Sequence, residues 1–193
     1  MQQHVGGTVS VKQRAGAGQV HLQDLFSYQG GNMTSTTSEM QQLGKATMDK
    51  LRNGINDWGT YQRKYDSEAW LICNSLAFST TDAEIEFLTG HVDLETGGIE
   101  IAAYTKDLLI YSEGVPDPMK GPVLQIVPRQ ALTGLEVHSA PEVIPSAYLD
   151  HFGTGSYAVS YGASLAFTLP LEPRRRYPEL DAFAPGLWKD LLN

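Results

Sequence analysis

The sequence predicts a mainly β fold of the α+β class: an antiparallel barrel or sandwich, preceded by a long amphipathic helix and capped by a C-terminal helix. Three observations lead there. Apolar residues recur at helical spacing over residues 37–65, after which the period shortens to the alternation of strands. Turn sequences such as Thr96-Gly97-Gly98 and Thr105-Lys106-Asp107 separate the short apolar runs that follow. Helical spacing then returns after Pro178. The 193 residues include 19 glycines and 10 prolines, as a turn-rich β fold requires, and the 41% hydrophobic fraction is that of a folded chain.

Residues 1–33 are rich in Gly and Gln without a sustained apolar period, and they predict an extended or flexible N-terminal arm. Val20–Phe26 is its one short apolar patch, and Met33 suits a second translation start. Residues 34–66 predict one amphipathic helix. Thr36 and Glu39 have capping-box spacing, the hydroxyl accepting from the third helical amide while the carboxylate reaches back. Met40, Leu43, Thr47, Leu51, Ile55, Trp58, Gln62 and Tyr65 then follow in steps of three and four, forming one stripe. Gly44, Gly54 and Gly59 each weaken the helix by roughly 1 kcal/mol relative to alanine. The stripe must therefore pack on something, either its own domain or another copy. Met40, Leu43, Leu51, Ile55 and Trp58 are accordingly candidate partner-binding residues.

Residues 67–193 predict an acidic β domain ending in a helix. Ala69–Phe78 fits a buried strand or a short helix, and residues 82–88 are similarly open, with strand preferred for Ile85–Leu88. His91-Val92-Asp93-Leu94-Glu95 alternates polar and apolar, as a half-buried strand does. Ile99–Tyr104, Leu108–Tyr111, Val123–Val127 and Leu132–Val137 read as further strands, with a Gly/Pro loop over 112–122 and Pro128 separating the last two. Pro141 and Pro145 bracket another loop, and Tyr157–Leu171 gives one or two strands. Several short strands joined by tight turns predict a meander that closes into a barrel or sandwich. Pro178 suits a first helical turn; Leu180, Phe183, Leu187, Trp188, Leu191 and Leu192 form an apolar face, with Pro185-Gly186 splitting it into two short pieces.

Charge divides the chain. The net charge is −8, and residues 66–172 hold fifteen acidic side chains against Lys106, Lys120 and Arg129 alone. Such a surface repels phosphate backbones and anionic headgroups, which argues against nucleic-acid or lipid binding by this part. The single cysteine, Cys73, excludes an intrachain disulfide. No apolar run approaches the roughly 18 residues of a membrane span, and the first thirty residues lack a recognisable secretory signal. The expected location is the cytoplasm, or the inside of an assembled particle.

Candidate chemistry is sparse. On a strand, His91, Asp93 and Glu95 would face one way and offer an imidazole and two carboxylates to a divalent metal or to acid/base work. Their centres would lie about 7 Å apart, so ligation by all three needs a bend. A solvated outer face is the plainer expectation. Gly162-Ala163-Ser164 distantly echoes a nucleophile elbow but sits among strand-like flanks. Gly153-Thr154-Gly155-Ser156 lacks the lysine and the helix of a phosphate loop. Cys73, in Trp70-Leu71-Ile72-Cys73, reads as an inert core thiol, and His138 and His151 as surface residues. Arg174, Arg175 and Arg176 would suit a phosphate or an acidic partner, or pair with the acidic domain itself. No convergent catalytic set emerges, so neither enzyme activity nor a cofactor or metal is expected.

From about Glu84 onward the order of elements resembles the bacterial pleckstrin-homology-like families. The resemblance is carried by the hairpin Gly98-Ile99-Glu100-Ile101-Ala102-Ala103-Tyr104-Thr105-Lys106-Asp107-Leu108-Leu109-Ile110-Tyr111 and by the strand pair from Ile126 to Val137. It implies a barrel capped by a C-terminal helix ending in Trp188, and a binding module without catalytic residues. Thr96-Gly97-Gly98 has no Lys or Arg where lipid-binding relatives place cations, which favours a protein partner. The expected function is therefore non-enzymatic protein binding or self-assembly into a homo-oligomer. One alternative is a structural subunit of a phage or virus-like particle, shell or tail, whose N-terminal arm ties neighbours. A further alternative is a metal-dependent enzyme using His91, Asp93 and Glu95.

Overall fold

In the computed structural model the described residues are 19–20, 37–80, 83–139, 155–172 and 178–192. The predicted 34–66 helix is interrupted. Helix α1 (Thr37–Gly54) ends where its backbone meets a strand, and α2 (Trp58–Lys64) starts afresh in a new direction. Between them Asp57 takes the left-handed conformation at φ 58°, and its carbonyl accepts from the Thr60 and Tyr61 amides. Gly54 explains the position of the break. A Cβ there would lie 2.8 Å from the Leu88 carbonyl oxygen, so only glycine lets the helix end approach that strand.

The Ala69–Phe78 ambiguity resolves to helix: α3 runs over Asp66–Thr80. It carries apolar residues all round because α1 and α2 cover one side and a sheet covers another, which erases the amphipathic signal. The helical part thus extends to Thr80, well past the 66/67 boundary that the sequence suggests.

The strands form two open antiparallel sheets among the described residues and not a closed barrel, one of the two forms expected. The first holds β2 (Phe87–Val92), β3 (Ile99–Tyr104), β4 (Leu108–Gly114) and β5 (Leu124–Pro128), with two-residue β1 (Gln19–Val20) added on the β5 edge. A 3-10 turn, Arg129–Ala131, leads to the second sheet: β6 (Leu132–Ser139), β7 (Ser156–Tyr161) and β8 (Leu165–Leu169). Helix α4 (Pro178–Leu192) closes one end. It runs through Pro185 without the predicted split. Losing one main-chain bond there is outweighed by seating Leu180, Phe183, Ala184 and Leu187 in the core.

The layers are helices, first sheet, second sheet. Ile99, Ile101, Ala103 and Ile110 of the first sheet meet Leu51, Ile55, Trp58, Ile72 and Leu76 of the helices. Ala102, Tyr104, Leu109 and Tyr111 point the other way, against Tyr157, Val159, Leu169 and α4. Burial on both faces makes Ile99–Tyr104 nearly continuous in apolar character. The remaining residues of 1–33, Met33 included, and the loop with Pro141 and Pro145 lie outside the described residues.

Candidate binding surface and buried polar clusters

The predicted helical stripe turns inward. Leu51, Ile55 and Trp58 are at most 1% exposed, so these three are core residues and not a partner surface, a correction to the sequence expectation. They are covered by α3 and the first sheet, the first of the two possibilities that the stripe leaves open. Leu43 is half-buried, and the side chain of Met40 lies outside the described residues, as do Arg174, Arg175 and Arg176.

His91, Asp93 and Glu95 do not share a strand. β2 ends at Val92, and Asp93 opens the turn to β3. One carboxylate oxygen of Asp93 accepts from the Glu95 amide at 2.8 Å and the other from the Thr96 hydroxyl at 2.6 Å. The Thr96 hydroxyl, and after it the two backbone donors, hold the Asp93 carboxyl below its ordinary range. A short polar side chain capping its own turn explains the alternation that resembles a strand. Among the described residues no group of three His, Cys, Asp or Glu side chains is placed to hold a metal ion.

The same turn is clasped from α2. Tyr61 donates to the Gly97 carbonyl at 3.0 Å, Tyr65 to the Leu94 and Glu95 carbonyls, and the Lys64 ammonium to the Leu94 carbonyl. Trp58 stacks on Tyr61 at 5.4 Å between ring centres, and Tyr65 packs tilted against Tyr61 at 5.0 Å. A cation thus does lie at the turn, supplied by Lys64 from the helical layer, and its donor is engaged with backbone.

Arg129 is the densest polar hub. Its guanidinium donates to Glu86 at 2.7 Å, Asp190 at 2.8 Å and the Thr105 carbonyl at 2.9 Å, and its carbon lies 5.0 Å from the Phe183 ring centre. Burial would lower its pKa, but the Asp190 and Glu86 hydrogen bonds and charges outweigh that and raise it. The hub joins the residue preceding β2, the β3–β4 turn, the β5–β6 turn and α4. The sequence did carry a signal: Arg129 is the lone arginine of the acidic stretch 66–172.

The other reactive types serve structure. Cys73 is fully buried, donates to the Gly44 carbonyl at 3.2 Å, and its thiol is pushed up to about 11 by burial. Ser164 lies in the β7–β8 turn with a strand on each side. The Tyr104 and Tyr161 hydroxyls meet at 3.4 Å in the core. Tyr111 donates between Glu100 and Glu113, which face each other across β3 and β4. A shallow cleft of ≈ 220 Å³ beside Lys50, Gly54, Glu86 and Glu179 has Lys50 tied to the Ile85 carbonyl and Glu86 tied to Arg129.

Among the described residues, exposed large apolar side chains fall in two groups, with Val137 of β6 standing apart from both at 41%. Trp188 and Leu192 stand out from α4, 44% and 84% exposed, so Trp188 does not cap the core as the predicted helix end would. Trp70 on α3 and Val115, Met119 and Val123 in the β4–β5 loop form the second group. Sequence periodicity missed both, because it marks apolar positions without showing which of them are covered. No helix of the described residues is long and apolar enough to cross a membrane. No family model, curated protein or solved structure matches the chain.

Proposed function

We propose that the protein is a non-enzymatic binding module that associates with copies of itself through the outward side of α4. The observation behind this is the exposure of Trp188 and Leu192 on a helix whose opposite side is anchored by Leu180, Phe183 and Leu187. Burying such side chains contributes about 1.5–3 kcal/mol each, and tryptophan is a frequent energetic centre of interfaces. Arg174, Arg175 and Arg176 precede the helix in sequence and complement the acidic stretch 66–172 of a neighbouring copy. Consecutive antiparallel strands ending in a helix packed against them support a pleckstrin-homology-like module, although the sheets stay open. The module acts in the cytoplasm or within an assembled particle.

Light scattering on the full chain at micromolar concentration is the test. Dimers or larger species are expected, with Trp188→Ala/Leu192→Asp returning the chain to monomer. A wild-type chain that is monomeric throughout refutes the proposal. A particle subunit is the alternative, motivated by the arm residues Gln19–Val20 adding a strand to a sheet edge. Closed or tubular assemblies under the electron microscope would select it.

A further inference from the structure

The β4–β5 loop presents Val115 and Met119 to solvent, 67% and 86% exposed, next to partly exposed Val123. The loop is held in place. Asp117 accepts from the Met119 and Lys120 amides at 2.8 and 3.0 Å, and its backbone pairs with Gly121 in both directions. It also lies against α3: a Cβ added at Gly121 would stand 3.2 Å from the Leu71 Cβ, beside exposed Trp70. The loop and the α3 flank are thus packed together at Gly121 and Leu71, and each carries exposed apolar side chains.

We propose that this surface is the docking site of residues 21–26 of the same chain. Strand β1 ends at its margin, with Gln19 opposite Gln125 and Val20 opposite Leu124. Two more steps of that antiparallel register bring His21 to Val123 and Leu22 to Pro122, the neighbour of Gly121 and so of Leu71. The sequence there is His21-Leu22-Gln23-Asp24-Leu25-Phe26, the apolar patch of the N-terminal arm. Six residues span at most roughly 20 Å, enough to cross one loop and one helix flank. The occupant is thus continuous with an observed ladder and apolar where the surface is apolar. Docking in this way does not depend on self-association through α4, and the two can fail separately.

The test uses the full chain carrying Leu22→Cys and Met119→Cys, treated with a short bismaleimide; buried Cys73 does not compete. A cross-link within one chain is expected, at least tenfold above that of either single variant. A link forming only between chains, in a mixture of the two single variants, would place another copy's arm on the surface and overturn the proposal. No link in either format overturns it as well. Independently, Leu22→Asp/Phe26→Asp should raise apolar-dye fluorescence several-fold in a chain that still unfolds in one cooperative transition. Unchanged dye binding in that folded variant counts against docking. Light scattering on the same samples reports self-association, so a monomer with an internal link sinks only the α4 contact.

Discussion

Arg129 shows how magnitudes rank neighbours at the scale of single residues. Its side chain is 7% exposed, as against 15% for Asp190 and 44% for Glu86. A half-exposed pair is screened by water and contributes little, so Glu86→Gln should cost less than about 1 kcal/mol. Removing the cation strands the Asp190 carboxylate and the Thr105 carbonyl in the interior, and Arg129→Ala should destabilise by about 3–5 kcal/mol. Lysine cannot span three acceptors, so Arg129→Lys should recover only part of that. Urea midpoints at constant slope measure all three, and equal losses for Glu86→Gln and Arg129→Ala would contradict the ranking. The core tyrosines set a second residue-scale expectation. Burial pushes the Tyr161 hydroxyl up to about 12 and raises Tyr104 and Tyr61 well above their ordinary 10. In alkali the unfolded chain loses these protons first. Their contribution is therefore complete below pH 10 and falls progressively as pH rises from 10 through the folded values. Melting temperatures from pH 8 to 11.5 should decline above 10, and Tyr161→Phe should flatten that decline. A decline of equal steepness in Tyr161→Phe would refute it.

The crossing of α1 over β2 illustrates a constraint between elements that no single-segment pattern contains. Ile55 bridges to Gly90, and added Cβ atoms at Gly54 and Gly90 would strike Leu88 and Ile55 at 2.4 and 2.7 Å. This covers part of the free β2 edge, which would otherwise invite pairing. Gly54→Ala gains up to about 1 kcal/mol in helix propensity and meets backbone at 2.8 Å. Overpacking should win, with a net loss of about 1–3 kcal/mol by chemical denaturation; a stabilised Gly54→Ala would mean the crossing yields easily. The β3–β4 hairpin was legible beforehand, since Thr105-Lys106-Asp107 and two apolar runs are local signals. Tyr157–Leu171 was legible as strand but open between one and two, and of the apolar face of α4 Leu180, Phe183 and Leu187 proved buried. The α1–α2 break was not legible, because the glycines that weaken a helix look the same whether they bend it or not. Helix α3 was obscured by burial on several sides, and Asp93 by a turn that mimics alternation. The stripe Leu51, Ile55 and Trp58 was legible as a stripe, but what covers it depends on residues more than ten positions away. For the same reason Trp70, Met119 and Trp188 could not be singled out as the exposed ones.

At the scale of the whole molecule, the first sheet is a wall shared by two cores. Ile101 and Ala103 belong to the helical side, and Ala102 and Tyr104, alternating with them on the same strand, to the side of the second sheet. A strand cannot lose one face and keep its register on the other, because its main-chain bonds serve both. The two cores should therefore open together. Leu51 is fully buried on the helical side and far in sequence from Val159, which is fully buried between the sheets. Leu51→Ala should destabilise by about 2–5 kcal/mol through lost contacts and an incompletely closed cavity. If the molecule unfolds as one unit, native-state amide exchange at Ile72 and at Val159 should accelerate by the same factor, since each exchanges through global opening. A thermal transition followed by backbone and by aromatic circular dichroism should also stay coincident while moving down by about 2–4 °C per kcal/mol. Faster exchange at Ile72 with Val159 unchanged would instead mark the helical layer as a separable unit, able to leave the sheets standing.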